Sequence, residues 1–340
     1  MNEQGAQGAK RPTLEMVAAA AGVGRGTVSR VVNGSSQVSE QTVAAVNAAI
    51  EELGYVPNRA ARSLASNRTM ALALIVPEHP ERFLDDPYLA AVVRGIYARL
   101  EDSEYVLTLF VASSDPTRKT LRYLRGGNVD GAIIVSQHER DSYLLALREV
   151  MPIVFNGKPS EPGTPPYFYV DVDNESAARE ATDYLVNLGR HRIAQIAGPH
   201  DMPAARDRVI GWQKSLADAG LPADAIELAD FTAAGGAQAM RDLLAKHPDL
   251  DSVFVASDQM AVGAIGVLLD AGIAVPEQVA VVGFDNSSAA LSGRIPLTTV
   301  SQPAMEAGRR VADVLLRILA GETPEAASIL PTTLVVRESA

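Results

Sequence analysis

"TLEMVAAAAGVGRGTVSRVVNG", residues 13–34, decides how the chain is read. Glycines stand at 22, 24 and 26. Gly-rich turns that open a helix often hold phosphate, so a nucleotide loop is the first reading to test. The dinucleotide fingerprint needs G-x-G-x-x-G between a strand and a helix. Gly22 and Gly24 fit it, but Thr27 occupies the third position and Gly26 comes one residue early. The segment before them has a helix pattern, not a strand pattern. A P-loop needs Gly-Lys-Ser/Thr, and this stretch has no lysine. A helix, a short Gly-containing turn and a second helix describe a helix-turn-helix instead.

The neighbouring sequence fits that reading. Thr13 is placed to cap "LEMVAAAA", and Gly22 supplies the positive φ that ends it. Val28, Val31 and Val32 share one face of the second helix. Arg25, Ser29, Arg30 and Asn33 lie away from them, where a recognition helix meets the major groove. Ser39 caps a third helix with Val43, Val46, Ile50 and Leu53 on one stripe. The expectation is an all-α head over residues 13–57, preceded by a disordered arm at 1–12 and followed by a linker at 58–69.

From residue 70 the pattern changes. "ALALIV", "VLTLFV", "GAIIV", "PIVF", "YFYVDV", "RIAQIA", "SVFVAS" and "VAVVGF" read as strands, separated by amphipathic helices such as "YLAAVVRGIYARLE". Continuous apolar strands alternating with helices indicate parallel sheets covered on both faces. About eight strands divide better into two lobes than one. The expected α/β core spans 70–340, with a first lobe at about 70–171 and 303–322 and a second at about 172–302 and 323–340.

Composition narrows the function. The 340 residues carry a net charge of −11, unevenly spread. Residues 1–68 hold seven Lys/Arg against five Asp/Glu, whereas the remaining 272 hold 23 against 36. A small basic module joined to an acidic body is thereby allowed. There is no cysteine, which excludes disulfides, thiol catalysis and Cys-based zinc sites. The histidines at 79, 138, 191, 200 and 247 show no metal-ligand spacing. No apolar run is long enough to span a membrane, and "MNEQGAQGAKRP" has no apolar signal segment, so a soluble cytoplasmic protein is expected. Ser257-Asp258 without a positioned histidine is no catalytic triad, and no enzyme activity or cofactor is expected.

The strand ends point to a ligand. In open parallel sheets, ligands bind beyond the carboxyl ends of the strands. Pro77, Glu78, Asp86 and Tyr88 follow "ALALIV". Asn156 and Lys158 follow "PIVF". His200, Asp201, Arg206 and Arg208 follow "RIAQIA", Asp258 follows "SVFVAS", and Asp285 and Asn286 follow "VAVVGF". Carboxylates, amides and arginines converging between two lobes suit a polyhydroxylated ligand, because each planar group bonds two neighbouring hydroxyls. Tyr88 and Phe231 can stack on sugar faces.

Residues 13–66, with "TVSRVVN" and "GYVPNRAARSL", resemble the DNA-binding head of the lactose-repressor/galactose-repressor (LacI/GalR) family of bacterial regulators. The body resembles the same family through "DPYLAAVVRGI", "VDGAIIV", "LGRHRIAQIAG", "ASDQMAVGAI", "VAVVGFDNS" and "PLTTVSQP". Within the family, "IAGPHDMPAARDR" and "ADFTAAGGAQAM" are most similar to actinobacterial regulators of cellobiose and related plant-sugar uptake.

The resemblance implies a periplasmic-binding-protein-like core and a homodimer on a palindromic operator of double-stranded DNA, released by a small sugar effector. It implies DNA contacts from Thr13, Arg25, Gly26, Thr27, Ser29, Arg30 and Asn33. Asn58 and Arg59 through Leu64 resemble the family hinge, with Leu64 a minor-groove wedge. Gly26 departs from many relatives, which carry a side chain there, so more base reading falls on Arg25. On the effector side it supports Tyr88, Arg208, Phe231 and Asp285 most directly, with Asp258 close by and Asp86, Asn156 and Lys158 from the strand-end reading. The tail "TTLVVRESA" reads as a strand, not the added helix of many tetramers, so a dimer is expected. The alternative is a sugar- or nucleoside-binding protein of the periplasmic type, which needs a signal peptide and no head.

Overall fold

The structure is a computed structural model describing residues 12–32, 37–55, 68–112, 118–160 and 167–340. The chain divides after Met70 into two compact units.

The first unit contains α1 (Leu14–Ala20), α2 (Arg25–Val32) and α3 (Glu40–Leu53). Thr13 Oγ1 accepts from Met16 N, and Ser39 Oγ accepts from Thr42 N, satisfying amides that have no partner within a helix. Gly22 stands at φ +66° and ends α1, with Val23 N donating to Ala18 O at 3.0 Å. Val17, Ala18, Val28, Val46, Ala49 and Tyr55 form one small core to which all three helices contribute.

The second unit has two six-stranded sheets. The first contains β1 (Ala71–Val76), β2 (Val106–Val111), β3 (Gly131–Val135), β4 (Ile153–Asn156), β5 (Phe168–Val172) and β11 (Ala327–Leu330), in the order β11-β5-β4-β3-β1-β2. The second contains β6 (Ile193–Ala197), β7 (Ile226–Leu228), β8 (Ser252–Val255), β9 (Ala280–Asp285), β10 (Thr298–Ser301) and β12 (Thr333–Val335), in the order β12-β10-β9-β8-β6-β7. Every pairing is parallel except that of β12 with β10.

Alternation along the strands covers both faces. Leu72, Leu74 and Val76 of β1 enter one core, and Ala71, Ala73 and Ile75 enter the other. In β9, Ala280, Val282 and Phe284 face one side and Val281 the other. The helices nearest the cleft are α4 (Pro80–Asp85) and α5 (Pro87–Leu100) in the first lobe, and α8 (Pro203–Asp218) and α10 (Asp258–Asp270) in the second. Between them in chain order lie α6 (Lys119–Arg125), α7 (Asn174–Asn187) and α9 (Ala233–Lys246).

One expectation is corrected. Residues 323–340 were assigned to the second lobe, but β11 pairs with β5 at the edge of the first sheet, Ala327 opposite Tyr169. Pro331 explains the division: with no N–H and a fixed φ, it breaks an apolar run into two edge strands, and the chain crosses between lobes there. The other crossings lie between β5 and α7 and after β10, beside the expected boundaries.

Candidate functional site

The carboxyl ends of both sheets open onto one cleft of about 800 Å³, counted to its mouth. Asp86, Tyr88, Asn156, Lys158, Arg208, Phe231 and Asp285 line it, seven of the eight residues expected at an effector site. Asp86 caps α5, its Oδ1 accepting from Tyr88 N at 2.8 Å. Tyr88 thereby points across to β4, where Asn156 Nδ2 donates to its hydroxyl at 2.9 Å.

Arg208 stands at the centre, buried in α8. Its Nε donates to Asn174 Oδ1 at 2.9 Å, and one terminal nitrogen donates to Ala256 O at 2.5 Å. The guanidinium plane lies 3.6 Å from the centroid of the Phe284 ring. Burial pushes its pKa down, while Asp285, Tyr88, Asp171 and Asp258 oppose that change. Asp285 ends β9 at φ +118°, a conformation L-residues rarely adopt. Burial, reinforced by Asp258 and Asp86, pushes its carboxyl well above the usual range against the pull of Arg208. Gln302 Nε2 donates to Asp285 Oδ1 at 2.5 Å. Ser136, Phe231 and Asn286 also have positive φ. Strained backbone gathers at ligand clamps, and Ser136, Phe231 and Asp285 all line this cleft, with Asn286 next to Asp285 in the chain.

Phe231 lies over Gly198, where a Cβ would collide with the ring, and Arg82 stacks on it from the other lobe at 5.1 Å. Lys158 lines the rim, with its ammonium 3.7 Å from Asp207. Asp258 is the residue that does not line the cleft. It is fully buried beneath it, accepting from Ser287 N at 2.7 Å and from Thr299 Oγ1 at 2.6 Å. Burial raises its pKa to about 6 against those bonds. It follows strand β8 as expected and opens α10, but its side chain turns inward to anchor the loop after β9.

Asp171, Gln137 and Gln302 line the cleft without having been singled out from sequence. Asp171 accepts from Lys158 N at 2.7 Å and Val172 N at 2.8 Å, and burial pushes its carboxyl up. It escaped notice as an alternating residue inside a strand. Gln137 stands two residues after "GAIIV", behind Ser136, so the strand-end rule applied to that strand reaches it.

Across the cleft from Phe231 is a second cluster. Glu78 Oε1 receives Ser136 Oγ at 2.5 Å, Arg82 at 2.5 Å and His138 Nε2 at 2.9 Å. His138 Nδ1 meets Asp201 of the second lobe at 2.8 Å. Arg206 pairs with Glu139, and Gln259 Nε2 donates to Asp85 O at 2.7 Å. These bonds join one lobe to the other. Glu78 and His138 are used here for closure rather than for ligand contact.

In the head, Arg25, Gly26 and Arg30 are exposed, Thr27 and Ser29 half-buried, and Val28 buried. Arg25 pairs with Glu15 of α1 at 3.2 Å. A Cβ on Gly26 would meet nothing within 4 Å, so packing does not demand glycine there. Thr13 acts as the α1 cap. Asn33, Asn58, Arg59 and Leu64 lie outside the described residues. Among the described residues no group of acidic and histidine side chains has metal-site geometry, and no helix is long and apolar enough to cross a membrane.

Two parallel-sheet lobes around a polar cleft, in a chain that begins with a helix-turn-helix, define a ligand-responsive regulator. Residues 13–58 match the model of bacterial regulatory proteins of the lacI family, and 182–340 match a periplasmic binding protein-like domain. The HTH-type transcriptional regulator CelR of Thermobifida fusca is 45% identical over 335 residues, covering 97% of this chain and 98% of CelR. A solved CelR–cellobiose complex is 44% identical, with a TM-score of 0.77, over 97% of this chain and all of that one. The lac repressor dimer bound to operator and the anti-inducer ONPF is 31% identical, with a TM-score of 0.84, over 97% of this chain and 99% of that one. The chain belongs to the LacI family of bacterial regulatory proteins.

Proposed function

We propose that this protein is a cytoplasmic, homodimeric repressor that reads a palindromic operator through α2 and is released by a small sugar, cellobiose or a close plant oligosaccharide. The observation that carries the sugar half is the cleft itself. Asp86, Asn156, Asp171, Arg208 and Asp285 present planar hydrogen-bonding groups around one space, with Tyr88 and Phe231 as aromatic faces. That combination matches vicinal hydroxyls and the apolar faces of pyranose rings. The CelR–cellobiose complex, at 44% identity, supports the choice of disaccharide.

The DNA half rests on the exposed polar face of α2 and on the operator complex of the lac repressor. A short helix reads few base pairs, so two heads on a two-fold axis are needed for specificity. Arg25 and Arg30 are assigned to base edges, Thr27 and Ser29 to phosphate or base contacts, and Asn58, Arg59 and Leu64 to the hinge. The sugar acts through its different affinity for the open and closed lobes. The periplasmic alternative is disfavoured by the helix-turn-helix.

A gel shift on a palindromic operator, titrated with cellobiose, xylobiose, maltose and monosaccharides, tests the reading. Release by cellobiose is expected. Tighter binding would make the sugar a corepressor, and indifference to every sugar would remove the effector from the proposal.

A further inference from the structure

Gln137 is buried on the wall of the cleft, 7% exposed, and neither its Oε1 nor its Nε2 has a hydrogen-bond partner. Burial of both amide atoms unpaired is uncommon, because each loses its water without replacement. The backbone places it there at a cost. Ser136, the residue before it, stands at φ +55° and is pinned by its hydroxyl to Glu78 at 2.5 Å. A strained residue held by a buried carboxylate turns the chain after β3 so that Gln137 faces the cleft and not the core. Across the same wall, Asn156 donates through Nδ2 to Tyr88, but its Oδ1 is likewise buried and unpartnered. Three polar atoms of two neighbouring amides are thus left open beside one space.

We propose that Gln137, with the free carbonyl of Asn156, is a specificity-determining contact for the effector, and that its amide reads two adjacent hydroxyls of one sugar ring. The assignment rests on the sugar reading above. An amide offers one acceptor and two donors in a plane, which fits a vicinal diol with one hydroxyl donating and the next accepting. A site built to bond a hydroxyl rejects the analogue that lacks it, because the amide stays unpaired. Gln137 therefore selects hydroxyl pattern, while Tyr88 and Phe231 accept any ring of suitable shape.

Calorimetric titration of the full-length protein with cellobiose tests this, using wild type, Gln137→Met and Gln137→Asn. Methionine keeps length and volume but removes both hydrogen-bonding atoms. The Gln137→Met Kd is expected to rise about ten- to a hundredfold. Its thermal midpoint without sugar should be equal to or above that of wild type, since a buried unpaired amide is gone. Among monodeoxy cellobioses, at least one should show a smaller difference between wild type and Gln137→Met than cellobiose does, because it lacks one of the two hydroxyls that Gln137 reads. Gln137→Asn provides the same comparison with a shortened amide if the methionine variant fails to fold. A Kd within twofold of wild type overturns the assignment. So does an equal penalty for every deoxy analogue in both proteins. Failure of wild type to bind any sugar of the panel is a distinct result, and overturns the sugar reading with this assignment.

Discussion

His138 of the first lobe and Asp201 of the second lie 2.8 Å apart, ring Nδ1 to carboxylate, while Glu78 holds the other ring nitrogen at 2.9 Å. A carboxylate at each ring nitrogen favours the imidazolium, in which both nitrogens donate. Arg82 and Ser136 face Glu78 from behind, Asp141 accepts from His138 N, and Arg140 lies 3.6 Å from Asp201. Burial works against the charged ring, but the bonds to Glu78 and Asp201 outweigh it and raise its pKa above 6.5. The same bonds hold Glu78 and Asp201 below their usual values despite burial.

The sign follows from linkage. A raised histidine contributes stability that is complete below its ordinary value of 6.5 and lost as pH climbs through the raised value. The two carboxylates release their share only in acid, below 4.5 and 3.8. Core stability should therefore fall as pH rises from 6.5. His138→Gln should flatten that slope and cost about 1–3 kcal/mol at the acid end. Urea unfolding from pH 6 to 9 measures both, and a slope unchanged in the variant would rule the ring out as its source.

Asp285 and Asp258 should separate function from structure. Asp285 is a buried carboxyl pushed up by burial and by Asp258, so its ionised form opposes folding at neutral pH. Its wild-type stability contribution declines as pH rises above 3.8 toward the raised value. Asp285→Asn keeps an acceptor for Gln302 and removes that charge. It should stabilise the sugar-free core by about 0.5–2 kcal/mol at pH 7.5. The gain should shrink in mild acid, and cellobiose affinity should drop at least tenfold. Paired denaturant melts and titration calorimetry check this, and intact affinity would take Asp285 out of the site.

Asp258→Ala should behave in the opposite way. It strands Thr299 Oγ1 in the interior and takes the acceptor from the half-buried Ser287 N and Oγ. The expected loss is about 1–3 kcal/mol, carried mainly by the fully buried Thr299 hydroxyl. Affinity should change only through the displaced loop after β9. A stable variant that has lost sugar binding would restore Asp258 as a direct contact.

The sequence was most legible where period and chemistry agree. Eight apolar runs became eight strands, most of them because burial on both faces leaves little choice, and β2 by its β-branched and aromatic run although it is an exposed edge. Gly22 was readable because ending α1 demands a positive φ. What escaped was orientation. Asp258 and Asp285 both end or follow strands, yet one turns under the cleft and the other into it. Asp285 turns at a backbone angle that no residue type announces, φ +118° at an aspartate. β11 escaped for another reason: four residues at a sheet edge carry too little pattern to say which lobe they join. Asp171 shows the same limit, since a polar residue in an alternating strand reads as a solvated face until the partner lobe covers it.

Arg25 carries the prediction for the head. Its side chain is exposed and lies 3.2 Å from Glu15. An exposed pair of this kind is weakly held, so guanine can displace Glu15. An arginine binding guanine O6 and N7 through two bonds discriminates by about 1–3 kcal/mol. Gly26 beside it has open space and no side chain to share that reading. Arg25→Ala should therefore lose about ten- to a hundredfold in affinity for the operator, and much less for an operator whose contacted guanine is replaced. Glu15→Gln should tighten binding a few-fold at low salt, because it frees Arg25 and removes a charge facing phosphate, and the gain should fade as salt rises. Gel shifts of both variants on both operators at two salt concentrations give the answer. Equal losses on the two operators would make Arg25 a phosphate contact and leave base reading to Arg30.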